Sequence, residues 1–142
     1  MPQPHTPLSN PLSLRVYWED TDAGGVVFYA NYLKFFERAR TEWLRSLGVE
    51  QRALQEQTGC IFVVADVQLR YLASARLDDV LSVSVKVLEL GKASILMEQQ
   101  AWRGDVLLTQ GQVRVGCVNA DSMRPCRIPE RVLSLMQSAS SS

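Results

Sequence analysis

The 142-residue chain has one histidine, His5, and only three cysteines, Cys60, Cys117 and Cys126. His5 sits in the stretch MPQPHTPLSNPLSL, which carries four prolines and no periodic pattern. A Ser-His-Asp or Cys-His machine therefore lacks a base within the chain, and a His-rich metal site is excluded. The cysteine count is odd and no pair has C-x-x-C spacing, so the sequence suggests neither a disulfide framework nor a zinc site. Cys60 and Cys117 fall in strand-like apolar runs and are read as buried structural thiols. There is no surplus of charge either: Lys plus Arg and Asp plus Glu both number 15. That balance argues against nucleic acid as the main partner, because phosphate binding needs a basic surplus or patch. No apolar run approaches the ~20 residues of a membrane span, and the N-terminal stretch lacks the apolar core of a signal peptide. The cytoplasm is the default location. No P-loop or G-x-G-x-x-G is present, so any phosphates would be held at the surface by side chains.

Hydrophobic residues make up 46% of the chain, enough for a folded core. The reading is one domain over residues 13–136, with disordered tails at 1–12 and 137–142. Leu14 to Trp18 suits a first strand. From Asn31 to Leu47, Tyr32, Phe36, Ala39, Trp43 and Leu47 recur at helical spacing, and Phe35 and Leu44 widen the stripe. Gly48 is a good stop, and a shorter helix is expected over Val49–Gln57. Strands are expected at Cys60–Tyr71, Val80–Leu90, Ala93–Arg103 and Val106–Asn119, with turns at Gly91-Lys92 and Gly104-Asp105. A short helix follows Pro129. One long helix followed by clustered strands predicts an α+β fold with an antiparallel sheet. A single main helix covers one face only, so oligomerisation is expected to protect the rest.

Just before the long helix the chain reads EDTDAGG. A calcium loop would need further oxygen ligands at alternating positions. The sequence instead runs into AGGVVFY, so no metal is expected there. Gly24 and Gly25 allow unusual backbone geometry and close approach of a ligand. The helix that follows presents unpaired N–H groups that can polarise a carbonyl. A carboxylate placed just upstream could serve a reaction at that carbonyl without histidine.

The segment VYWEDTDAGGVVFYANYLKFFERARTEWLRSLG, followed by YLASARLDDVL, closely resembles the Tol–Pal-associated, YbgC-type acyl-CoA thioesterases. These form part of the 4-hydroxybenzoyl-CoA thioesterase branch of the hotdog superfamily. The resemblance covers roughly Leu14 to Pro129 and implies an antiparallel sheet wrapped around the long helix, dimerised into a continuous sheet and often tetrameric. It also implies that Asp22 is the essential carboxylate and that the Tyr29 backbone N–H polarises the thioester carbonyl. Many relatives have His where Tyr29 stands and Pro where Ser74 stands. The first departure removes a supporting His side chain; the second affects a turn.

The implied reaction is hydrolysis of an acyl-CoA to free acid and coenzyme A, with Asp22 as nucleophile or general base. No cofactor is expected, since coenzyme A belongs to the substrate. Gly25, Val26, Asn31, Arg76 and Lys92 are the candidate substrate contacts, and Arg124 is a further candidate for a phosphate. Asn31 alternatively caps or braces the helix start. Asp20 is expected to bond local backbone, Glu19 to be exposed and Glu37 to pair with a neighbouring arginine. Three other readings stay open: an aromatic acyl-CoA substrate such as a hydroxybenzoyl or dihydroxynaphthoyl thioester, a non-catalytic module binding acyl carrier protein or an envelope partner, and dehydration of 3-hydroxyacyl thioesters. The last usually wants a catalytic His, for which His5 is badly placed.

Overall fold

The computed structural model describes residues 11–140; His5 and residues 1–10 of the expected 1–12 tail lie outside the described residues. Six strands form one antiparallel sheet: β1 (Leu12–Arg15), β2 (Cys60–Tyr71), β3 (Val80–Val83), β4 (Lys86–Leu90), β5 (Ser94–Arg103) and β6 (Val106–Asn119). The order is β1-β3-β5-β6-β2, with β4 also paired to β5. Among the described residues there are three α-helices: α1 (Tyr32–Ser46), α2 (Gln51–Thr58) and α3 (Glu130–Ser140). α3 extends past the boundary drawn at 136, so 137–140 are helical rather than a tail.

The long apolar stripe does what its spacing requires. Phe35, Phe36, Tyr32, Ala39 and Leu44 are buried against the sheet, and α1 packs on β1, β3 and β5. Opposite them stand Leu81, Val83, Ile95, Met97, Val113 and Val115, the inward set of alternating strands. Gln99 is fully buried among them. Its amide donates to the Phe36 carbonyl at 2.9 Å and the Ser84 carbonyl at 3.3 Å, while Arg40 donates to its oxygen at 2.9 Å. That satisfied polar bridge ties α1 to β5.

Two strands differ from expectation. The run Val80–Leu90 is broken into β3 and β4 at Ser84. The buried Ser84 hydroxyl accepts the Gln100 N–H at 3.2 Å, and a side-chain bond standing in for a ladder bond interrupts the pairing. The first strand begins earlier and ends at Arg15. Beyond it Trp18–Asp20 form a single 3₁₀ turn, closed by the Asp20 carboxylate accepting the Tyr17 N–H at 2.9 Å.

β2 lies at the edge of the sheet. It is twelve residues long, bulged between Val64 and Asp66, with Val64 47% exposed. Such an edge leaves a row of N–H and C=O groups without ladder partners. Its close fit to β6 depends on Gly111, where a Cβ would overlap the Gln68 carbonyl and a Leu69 methyl.

Candidate active site

The stretch from Asp20 to Asn31 folds back on itself as a closed loop. Thr21 and Val27 form an antiparallel bridge, the Asp22 N–H donates to the Val26 carbonyl at 2.9 Å, and the Gly25 N–H donates to the Asp22 carbonyl at 3.0 Å. Gly25 has φ +80°, a left-handed conformation that disfavours other residues. A Cβ there would meet nothing within 4 Å, so within this chain its conformation, rather than room for a ligand, requires glycine.

The three acidic residues of EDTD part company. Asp20 is buried, and its second oxygen accepts from the Asn31 amide at 2.8 Å. Asn31 therefore braces the two ends of the loop; it makes no side-chain cap bond to α1. Glu19 is exposed. Asp22 is also exposed, with one carboxylate oxygen accepting the Gly24 N–H at 2.8 Å. Among the described residues these carboxylates do not converge on a common point.

Tyr29 opens a 3₁₀ turn, Tyr29–Asn31, that leads straight into α1. As the first residue of that turn, its N–H has no acceptor one turn back. Its carbonyl is held by the Tyr71 hydroxyl at 2.9 Å. The rings of Tyr29, Tyr71 and Tyr32 lie together and, with Val27, Leu72, Ala73 and Ser74, line a cavity of ≈ 220 Å³. Burial, with Tyr29 and Tyr32 close by, pushes the Tyr71 phenol above its ordinary pKa, so it stays a donor.

A second strand of supports runs behind the loop. The Val27 N–H donates to the Ala75 carbonyl at 2.9 Å, and the Ala75 N–H donates to the buried Tyr32 hydroxyl at 3.1 Å. Arg76 bridges to Val26, which places two expected contacts side by side. Arg103 donates to the Ser74 carbonyl and the Asp79 carboxylate, each at 3.0 Å. Burial pushes the Asp79 carboxyl up, but the Arg76 N–H and Arg103 outweigh it and hold it below its ordinary range. Sequence reasoning assigned no role to Tyr32, Tyr71, Asp79 or Arg103. The LDD of the resembling segment contained the signal for Asp79; nothing in the apolar stripe disclosed the work of the Tyr32 hydroxyl.

One expectation is corrected, the Glu37 ion pair, and two candidate contacts lie away from the loop within one chain. Lys92 is exposed in the turn before β5, and its carbonyl accepts the Ile128 N–H. Arg103, beside the loop, is at the far end of the same strand, roughly 30 Å away at ~3.3 Å per residue. Arg124 lies at the Lys92 end too, its carbonyl accepting the Asn119 N–H. Within one chain neither joins Asp22. Glu37 forms no ion pair among the described residues: Arg40 turns instead to Gln99, and Glu37 is exposed at the mouth of a ≈ 240 Å³ cavity. Phe62, Val64, Ile95, Met97 and Met136 supply its apolar lining. Burial lowers the Arg40 pKa, and the nearby Glu37 charge partly restores it.

Loop, helix start and sheet together define a class in which an exposed carboxylate stands on a closed loop just ahead of a helix entry. The sequence profile of the thioesterase superfamily matches residues 24–110. An acyl-CoA thioesterase YbgC of Haemophilus influenzae is 47% identical over 84% of this chain and 88% of its own length. An acyl-CoA thioester hydrolase YbgC of Escherichia coli O6:H1 is 39% identical over 85% of this chain and 90% of its own. The crystal structure of a probable thioesterase from Bartonella henselae superposes with a TM-score of 0.80 at 33% identity, covering 84% of this chain and 98% of that one. The chain belongs to the thioesterase superfamily, with the hotdog fold. It is a thioester hydrolase. Among the described residues no helix is long and apolar enough to cross a membrane.

Proposed function

We propose that the chain hydrolyses acyl-CoA thioesters, with Asp22 as the reacting carboxylate and the Tyr29 N–H as the oxyanion donor. The observation that carries this reading is the closed loop itself. It holds an open carboxylate at one end and a helix-entry N–H at the other, with Asp20–Asn31 locking the distance between them. The thioester carbonyl would point at the Tyr29 N–H, where negative charge develops during attack. Asp22 then either attacks the carbonyl carbon or removes a proton from an attacking water. In the first route the C–S bond breaks, coenzyme A leaves as the thiol after taking a proton, and water hydrolyses the mixed anhydride. Both routes end in acid and coenzyme A. The Tyr29, Tyr32 and Tyr71 cavity would take the acyl end, and Arg76 would lie near the nucleotide-bearing portion. Acyl carrier protein is the second thioester donor to assay, in the cytoplasm as the working setting.

The working unit in this reading is a homodimer or homotetramer. Antiparallel pairing of two β2 edges about the Val64–Asp66 bulge would extend the sheet and carry the Cys60 end of one strand to the Tyr71 end of the other. That arrangement would bring the Lys92 side of one chain to the loop of its partner, which a single chain cannot do.

A second reading is favoured by one observation: Glu37 is unpaired at the mouth of its own cavity. There it would serve as the acid–base group in place of Asp22. The deciding test is single-turnover hydrolysis in ¹⁸O water with the wild type, Asp22→Asn and Glu37→Gln. Loss of turnover in Asp22→Asn alone supports the proposal; loss in Glu37→Gln alone transfers the role.

A further inference from the structure

At the end of the sheet opposite the Tyr29 turn, three sulfurs drawn from separate parts of the sequence meet. The register pairs Cys60 with Asn119 and Phe62 with Cys117. Cys60 and Cys117 therefore project from the same face as diagonal neighbours. After β6 the chain turns, with Met123 at φ +59° and the Asn119 carbonyl oxygen of the side chain accepting N–H groups of Asp121 and Ser122. It then returns along β6: Pro125 bridges to Val118, and the Cys126 N–H donates to the Cys117 carbonyl at 2.9 Å. This return sets the Cys126 Sγ 2.9 Å from that of Cys60 and 3.5 Å from that of Cys117. All three sulfurs lie within 4.8 Å of one another.

Isolated buried cysteines behave as small apolar side chains. Three thiols in mutual contact, on two strands and a braced loop, instead form a ready ligand set. The proposed hydrolysis calls on no thiol, and within one chain Tyr71, beside Tyr29, is at the other end of β2, roughly 35 Å away at ~3.3 Å per residue. Cys60 and Cys117 are buried, while Cys126 is half-buried and gives access from solvent. Among the described residues no further His, Cys, Asp or Glu joins the group. Structural zinc closes its tetrahedron with four protein ligands. Three soft sulfurs without a fourth donor favour a soft ion of low coordination number.

We propose that Cys60, Cys117 and Cys126 form a binding site for a soft monovalent metal ion, cuprous copper. Binding forms Cu–S bonds and releases thiol protons to solvent; no electron is transferred. Because each Cu–S bond displaces a thiol proton, affinity should rise with pH.

The test is an anaerobic titration of the full reduced chain with Cu⁺ against a chromophoric cuprous chelator. One ion per chain is expected, with a new ultraviolet thiolate-to-copper band and a higher melting temperature. Cys126→Ser, at the half-buried loop position, should fold and lose at least about 100-fold in affinity, since even supporting residues of metal sites are worth 10–100-fold. Cys117→Ala, checked for folding by circular dichroism, should do the same. Asp22→Asn should bind copper as the wild type does, which separates this site from the hydrolytic one. The proposal is overturned if copper fails to bind at one per chain, if Cys126→Ser binds equally well, or if Zn²⁺ displaces Cu⁺ at equal concentration. It is also overturned if thiol titration in reduced glutathione finds one free thiol per chain, meaning that two sulfurs are already joined.

Discussion

Replacing Asp22 by Asn tests the chemistry while leaving the loop almost untouched. In the structure one Asp22 oxygen accepts the Gly24 N–H at 2.8 Å, and the side chain is otherwise exposed. Asparagine keeps a carbonyl oxygen in the same place and serves such turns as well as aspartate. The change in stability should therefore stay within about 0.5 kcal/mol, the range of exposed substitutions. What asparagine cannot do is attack as an anion or accept a proton at neutral pH. Losing that step costs at least ~100-fold in kcat, equivalent to about 2.7 kcal/mol at ~1.36 kcal/mol per tenfold. Glu37→Gln is the matched control. An ion-paired Glu37 would have made this change costly in stability. With Arg40 turned to Gln99 and Glu37 exposed, its cost should also fall within about 0.5 kcal/mol, with kcat inside tenfold of wild type. The assay is release of the coenzyme A thiol from short, long and aromatic acyl-CoAs, followed with a thiol dye. Rates are corrected for folded fraction by circular dichroism. An Asp22→Asn enzyme that keeps more than about a tenth of wild-type kcat would refute the assignment, because no essential base or nucleophile is worth so little.

Gly111→Ala should destabilise by about 1–3 kcal/mol, the usual cost of forcing an atom into a filled site, and urea unfolding will measure it; β2 must move away from β6 to admit the Cβ. Asp79 provides a pH dependence. Its folded carboxyl is held below its ordinary range, so its contribution is fully present above the unfolded pKa and is lost as pH falls through the lower folded value. The melting-temperature gap between wild type and Asp79→Asn should therefore be constant near neutrality and shrink below about pH 4. Light scattering at micromolar concentration should give at least twice the chain's mass, and Val64→Lys, which places a charge on the exposed β2 edge, should reduce it; a fully active monomer would contradict the oligomer.

Local pattern carried much of the architecture. α1 and the strands β2 and β6 follow from repeated burial at helical or alternate spacing, because periodicity in a sequence reports which face of a local backbone meets the core. The EDTDAGG segment likewise made the turn and the helix entry legible, since turn chemistry and helix starts are short-range. Other features needed the tertiary structure. Ser84 breaks a smooth strand pattern only because Gln100 lies across from it. Asn31 braces Asp20 rather than capping its own helix. Arg76 meets the loop and Lys92 does not, although both are plausible cations near turns, because strand length and register carry one toward Val26 and the other to the opposite end. The three cysteines show the limit most clearly. Their spacing matches no metal motif, yet register across β2 and β6 and one return loop bring their sulfurs together. Side-chain convergence is a property of strand pairing, and pairing is decided between distant segments rather than within any one of them.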